Sequence, residues 1–144
     1  MKKLLALLLS ISASLTLAPA AQAADAAAAK QPSTDRVISH ADMKKTLERP
    51  DGVGVTILDL RRNSDYDKDT LTMPAARRFD PDKIAEWSST LPKDKEILLF
   101  CAHGRSISNA SVDYLTKQGY KARLVAGGFD TWKEAGGATA PKSQ

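Results

Sequence analysis

KEILLFCAHGRS, residues 95–106, is the stretch that decides how the rest of the chain folds. Ile97 to Phe100 are four apolar residues in a row, bounded by Lys95 and Glu96 on one side and a polar turn on the other. A short apolar run so bounded reads as a strand buried on both faces, the signature of a parallel sheet. Gly104 then lets the chain turn sharply. From Ile107 onward, Ala110, Tyr114 and Leu115 recur at helical spacing, and Gly119 is a natural helix stop. Strand, tight turn and helix in that order make half of a βαβ unit.

Working outward, the same alternation recurs. RVIS (36–39) is a short strand candidate. SHADMKKTLER opens a helix, with Ser39 and Asp42 at capping-box spacing and Met43 and Leu47 on one face. Val53 to Arg61 is a β-branched strand run, and NSDYDKD suggests a second, shorter helix. AARRFD is a weak strand candidate. DPDKIAEWSSTL predicts one helix capped by Asp80, with Pro81 at its first position. KARLVAGG supplies the last strand, and Phe129 and Trp132 share a face of a short final helix. Alternating strands and helices with short connections predict an α/β domain with a mostly parallel central sheet covered by helices on both faces. In such sheets ligands bind beyond the strands' C-terminal ends, where Asp59, Arg61 and Cys101 fall.

The N-terminus predicts export. Lys2 and Lys3 precede the apolar stretch Leu4–Leu17, and Ala21-Gln22-Ala23 is a small-x-small site, the order of a cleaved secretory signal. Ser10, Ser12 and Ser14 dilute the run, which falls short of the ~20 apolar residues a membrane span needs. Residues 1–23 are therefore assigned to a signal peptide, 24–36 to a flexible lead-in, 37–137 to the domain and 138–144 to a loose tail. Loss of Lys2 and Lys3 would lower the formal charge from +4 to +2. No basic run with interleaved aromatics suggests nucleic acid. The expected compartment is the periplasm, with no membrane span after cleavage.

Cys101 is the only cysteine of the chain. Alone, it reads equally as core filler or as an odd cysteine with a task, in an intermolecular bridge or as a free thiol. Its surroundings favour the second. Gly104 permits close backbone approach, Arg105 adds charge, and the Ser106 and Ser108 hydroxyls can donate to an anion or cap the helix. His103 can relay a proton near neutral pH. A thiolate at the rim of such an amide-lined turn is stabilised. A Cys-dependent phosphatase would need arginine six residues after the cysteine, but position 107 is isoleucine. A thioredoxin-type site would need cysteine at 104, where glycine stands.

CAHGRS, LDLRRNSDY and LVAGGFDTW, in that order, resemble the three signature blocks of single-domain rhodaneses, over roughly Val37 to Gly136. The resemblance implies a three-layer α/β fold and sulfurtransferase chemistry. Cys101 would take a sulfane sulfur from thiosulfate or a similar small anion as a persulfide. Ala102, His103, Gly104, Arg105 and Ser106 would hold the donor and the charged sulfur, with Arg105 binding the donor anion. A thiophilic acceptor, cyanide or a thiol, would remove the sulfur. Asp59 and Arg61 would support the loop. It implies no cofactor and no metal, and the chain is expected to act as a monomer. The alternative within the family is a sulfur carrier or a partner-binding module without turnover. One departure stands out: after Tyr66 the family carries a Gly-His-Ile-x-Gly-Ala-like block, here replaced by DKDTLTMPAARRFD. That segment puts substrate range in question and offers Arg77 and Arg78 as candidate anion ligands.

Overall fold

The computed structural model describes residues 34–50 and 54–143; the expected signal peptide, most of the lead-in and Val53 lie outside these. The described elements are β1 (Val37–Ile38), α1 (His40–Leu47), β2 (Val55–Asp59), α2 (Asn63–Tyr66), β3 (Leu71–Thr72) and β4 (Ala76–Arg78). There follow α3 (Ile84–Trp87), β5 (Glu96–Phe100), α4 (Ser106–Lys117), β6 (Lys121–Val125), α5 (Gly128–Glu134) and β7 (Ala140–Pro141). Five strands form one sheet in the order β1-β6-β5-β2-β4, and every pairing within it is parallel.

Period-two alternation in β5 builds both halves of the core. Ile97 and Leu99 point to one side, against Leu58, Leu60, Leu124 and the α4 residues Val112 and Leu115. Leu98 and Phe100 point to the other, against Ile57, Val125, Met43 of α1 and Phe129 and Trp132 of α5. The KEILLF run is apolar throughout because helices cover it on both sides. That is the α/β three-layer architecture expected from the alternation.

The chain leaves β2 toward β4 and leaves β5 toward β6, so the connections diverge between β2 and β5. Such a switch point opens a crevice at the strands' C-terminal ends. Asp59 and Phe100 are register partners there, and Cys101 follows Phe100 directly.

Local expectations fare unevenly. Ser39 caps α1: its Oγ accepts from Asp42 N–H at 3.1 Å and donates to the Asp42 carboxylate at 2.8 Å. Gly119 follows α4 at φ +85, the left-handed stop expected of it. The single helix expected after Asp80 is instead broken into a 3₁₀ turn (Pro81–Lys83), α3 and a second 3₁₀ turn (Ser88–Thr90). Two long-range demands break it. Trp87 must enter the core while its Nε1–H donates to Asp80 O at 2.7 Å, and Tyr120 Oη–H donates to Ser88 O at 2.6 Å.

Two segments expected to be loose are held. Thr34–Arg36 forms a 3₁₀ turn, and Arg36 donates to Asn109 O at 2.8 Å and pairs with Asp113. Residues 140–141, expected in the tail, pair antiparallel with β3. The Lys142 ammonium also reaches Tyr66 O at 2.7 Å. Neither strand of this two-residue ribbon has a pattern long enough to read.

Asp59 and Arg61 are buried together, 1% and 2% exposed. Arg61 Nε–H donates to both Asp59 oxygens at 3.0 and 3.1 Å, and Nη2–H donates to Oδ2 at 2.6 Å and to Leu71 O at 2.9 Å. Thr72 Oγ1–H adds a bond to Asp59 Oδ2 at 2.8 Å. The guanidinium lies 4.3 Å from the Phe129 ring centre and 5.1 Å from that of Tyr66. Charges this deeply buried are tolerable only when paired and fully hydrogen-bonded. Asp59→Ala is expected to lower the unfolding free energy by about 3–5 kcal/mol, since it strands the Arg61 charge; urea denaturation measures it.

Thr72 to Ala76 stand where the resemblance would place the His-Ile-x-Gly-Ala part of the replaced block. Ala75 adopts φ +58, the only described non-glycine residue in the left-handed region. Its Cβ makes that conformation costly, so Ala75→Gly is expected to raise stability by about 0.5–1 kcal/mol. An unchanged or lowered denaturation midpoint would contradict this account.

Candidate functional site

Cys101 sits at the C-terminal end of the central strand and is 5% exposed. Ala102 is also buried, Gly104 is half-buried, and His103, Arg105 and Ser106 are exposed. The loop is short because α4 starts at Ser106, and Gly104 makes the reversal at φ +63. Arg105 stands at the N-cap position without a side-chain cap. Its carbonyl accepts from the Asn109 backbone N–H at 3.0 Å and from Asn109 Nδ2–H at 2.9 Å.

The N–H groups of Ala102, His103, Gly104 and Arg105 donate to no acceptor among the described residues. The Arg105 guanidinium has no partner there either. Deeper in the first turn of α4, Ser108 is fully buried and its Oγ is unpaired among the described residues. Donors and a cation without partners among the described residues thus follow Cys101 along the chain, at the N-terminal end of α4 and its helix dipole. The arrangement can hold a compact anion next to Cys101.

What shapes this loop is the β6–α5 turn. Gly127 and Gly128 adopt φ +64 and +70. Cys101 O accepts from Phe129 N–H at 2.9 Å, and Ala102 O accepts from Asp130 N–H at 3.0 Å. The first amides of α5 therefore bind two carbonyls of the cysteine loop. The backbones touch: a Cβ on Gly128 would lie 2.3 Å from Gly104 N and 2.5 Å from Cys101 O, and one on Gly104 would lie 2.6 Å from Gly128 N. Reading the residues along the chain reached Gly127 and Gly128 only through the resemblance. Their role depends on a contact between segments some two dozen residues apart.

A chain of polar contacts continues from the loop into the core. His103 Nδ1 meets Asp130 Oδ2 at 2.9 Å, Lys133 lies 3.8 Å from Asp130 and 2.5 Å from Asp69, and Asp69 lies 3.7 Å from Arg61. Burial pushes the Asp69 carboxyl up, but the bonds from Lys133 and Leu71 N–H, with the Lys133 and Arg61 charges, hold it below its ordinary value. The other histidine is structural: His40 Nε2 contacts Ala126 O at 2.6 Å and its ring meets Trp132 edge-on. Asp59 and Arg61 are shut into the core beneath the loop. Among the described residues no cluster of His, Cys, Asp or Glu could hold a metal ion, and no helix is long and apolar enough to cross a membrane.

Comparison with known proteins agrees with this picture. The family model described as Rhodanese-like domain matches residues 39–135. The thiosulfate sulfurtransferase GlpE of Coxiella burnetii is 31% identical over 97 residues, 67% of this chain and 85% of that protein. The putative sulfurtransferase YtwF of Bacillus subtilis is 31% identical over 106 residues, 74% and 95% of the two chains. Among solved structures, a rhodanese-related protein from Thermoplasma volcanium superposes with a TM-score of 0.64 at 25% identity, over 74% of this chain and 99% of that one. A Lactobacillus plantarum protein superposes with a TM-score of 0.67 over 74% and 88% of the two chains, at 17% identity, a likeness of fold alone.

Gly128→Ala tests the contact that shapes the loop. The added methyl has backbone on three sides, and its φ is foreign to alanine. The expected cost is about 3 kcal/mol or more of stability. Reaction of Cys101 with an alkylating probe in the folded protein should also change rate. A folded variant with the wild-type melting temperature and alkylation rate would remove the contact from the account.

Proposed function

Because the chain belongs to the rhodanese-like domain family, we propose that it is a thiosulfate-type sulfurtransferase that works through a persulfide on Cys101. The observation that supports this reading is that the backbone N–H groups of Ala102 to Arg105, which follow Cys101 directly, have no acceptor among the described residues. In the first half-reaction the Cys101 thiolate attacks the outer sulfur of thiosulfate. A sulfur–sulfur bond forms at Cys101, the bond within the donor breaks, and sulfite leaves with its electron pair. Arg105, exposed and unpaired, draws in the dianionic donor. The amides then carry the negative charge of the persulfide, placed before it forms, which is why such donors lower a barrier. In the second half-reaction a nucleophilic acceptor attacks the outer sulfur and the Cys101 thiolate leaves. This is double-displacement covalent catalysis.

His103, whose Nδ1 lies 2.9 Å from Asp130 Oδ2, is the proposed proton carrier when the acceptor is a thiol. Lys2, Lys3, the Leu4–Leu17 run and Ala21-Gln22-Ala23 support export, so the enzyme is assigned to the periplasm.

Incubation with thiosulfate is expected to add the mass of one sulfur atom to Cys101 and, with cyanide present, to yield thiocyanate over many turnovers. Cys101→Ser should lose both, with turnover down by about 10³-fold or more. Absence of the mass gain in the wild-type protein would sink the proposal. A mass gain without turnover would make the domain a sulfur carrier. Arg105→Ala is expected to raise the KM for thiosulfate about tenfold, the loss of one charge-assisted contact; steady-state kinetics decide it.

A further inference from the structure

We propose that a cavity beside the edge strand β4 is a binding site for a small organic carboxylate, with Arg78 as the cation that holds it. No residue of the cysteine loop lines this cavity, so the site does not depend on the sulfurtransferase reading.

The cavity has a volume of about 270 Å³, and Asp59, Tyr66, Thr72, Ala76, Arg78 and Ser143 line it. Arg78 is the register partner of Asp59, and its guanidinium lies 4.7 Å from the Tyr66 ring centre. Arg77 borders the cavity as well, but its guanidinium lies 5.3 Å from the Phe79 ring centre, on the opposite face of β4, and takes no part. The Asp59 carboxylate is engaged by Arg61 and Thr72. Arg78 is half-buried and finds only neutral acceptors. Its Nη1 donates to the Phe79 carbonyl and, at 3.5 Å, to the Asp59 carbonyl, while Nη2 donates to Asn63 Oδ1 at 2.8 Å. A guanidinium carries five N–H donors. The Nε–H and one Nη2–H of Arg78 are thus left without an acceptor among the described residues, and so is the Tyr66 hydroxyl.

A second cation meets the same tyrosine. Lys142 is half-buried, its ammonium lies 3.9 Å from the Tyr66 ring centre, and it spends one donor on Tyr66 O at 2.7 Å. Neither Arg78 nor Lys142 has a carboxylate partner among the described residues. Two cations that have lost part of their water without gaining a counter-charge attract an anion. The planar fork of arginine matches a carboxylate, which can take two parallel N–H bonds from it. The size of the space argues for an organic anion over a bare ion. A water's share of the liquid is about 30 Å³, so the cavity has room for a carbon skeleton behind the carboxylate. The Tyr66 ring and the Ala76 methyl give that skeleton apolar wall, the usual make-up of a small-molecule site.

The test titrates succinate into the full chain at constant ionic strength and follows the backbone amides by proton–nitrogen correlation NMR. The amides of Tyr66, Thr72, Ala76 and Arg78 should shift together and saturate, with a Kd of about 1 mM. Neutral succinamide should leave them in place. Arg78→Gln should weaken succinate binding about tenfold, the loss of a charge-assisted pair. Because Arg78 also bonds to Asn63 and the Phe79 carbonyl, Arg78→Lys is the second variant. It keeps the charge, gives up the fork and should weaken binding about threefold. Four results overturn the proposal: shifts confined to Ala102–Ser106, equal shifts with succinamide, tighter binding of sulfate than of succinate, or wild-type affinity in a folded Arg78 variant. Failure of thiosulfate to load Cys101 would count only against the sulfurtransferase reading and leave the titration standing.

Discussion

The buried pair of Asp59 and Arg61 is the constraint round which the functional end of the sheet is organised. A carboxylate and a guanidinium out of reach of water must satisfy each other and their spare donors and acceptors completely. To do so they recruit Leu71 O and the Thr72 hydroxyl, which places β3. The guanidinium face then packs against Tyr66 of α2, Phe129 of α5 and, at 6.0 Å, Phe100 of β5. Four elements that share no local sequence are held to one cation. Phe129 is the next link, because its amide binds Cys101 O.

The Cys101 loop is therefore set from below and from the side, and its own residues do little of the work. The Asp59–Arg61 pair positions Phe129, α5 spends its first amides on the loop carbonyls, and Gly104 and Gly128 let two backbones meet without side chains. The two peptide units whose carbonyls bond to α5 leave the N–H groups of Ala102 and His103 without an acceptor among the described residues. The proposed sulfur chemistry would use that state: donors in place before the charge arrives. The cost of leaving them open falls on the fold, which offsets it with apolar packing on both faces of β5.

Much of this was legible along the chain. The KEILLF run is buried on both faces, and its strand, tight turn and helix lie where the apolar pattern puts them, because burial periodicity is a local property. Ser39 and Gly119 act as expected, since caps depend on a few adjacent residues. The expectation failed where distant groups set the outcome. The helix after Asp80 breaks because Trp87 and the Ser88 carbonyl answer to the core and to Tyr120. Residues 140–141 look like a tail because a two-residue strand has no period to detect, yet β3 needs an edge partner.

The sequence by itself determined the fold class, the chain's single cysteine and the family, through apolar periodicity and three short blocks in fixed order. Only the tertiary structure decided which donors stay free, since an amide's partner is a matter of distance between segments. It also set Arg77 and Arg78 beside a cavity two strands from the cysteine. In the sequence they are a pair of basic residues in a divergent segment. In the fold neither has a carboxylate partner among the described residues.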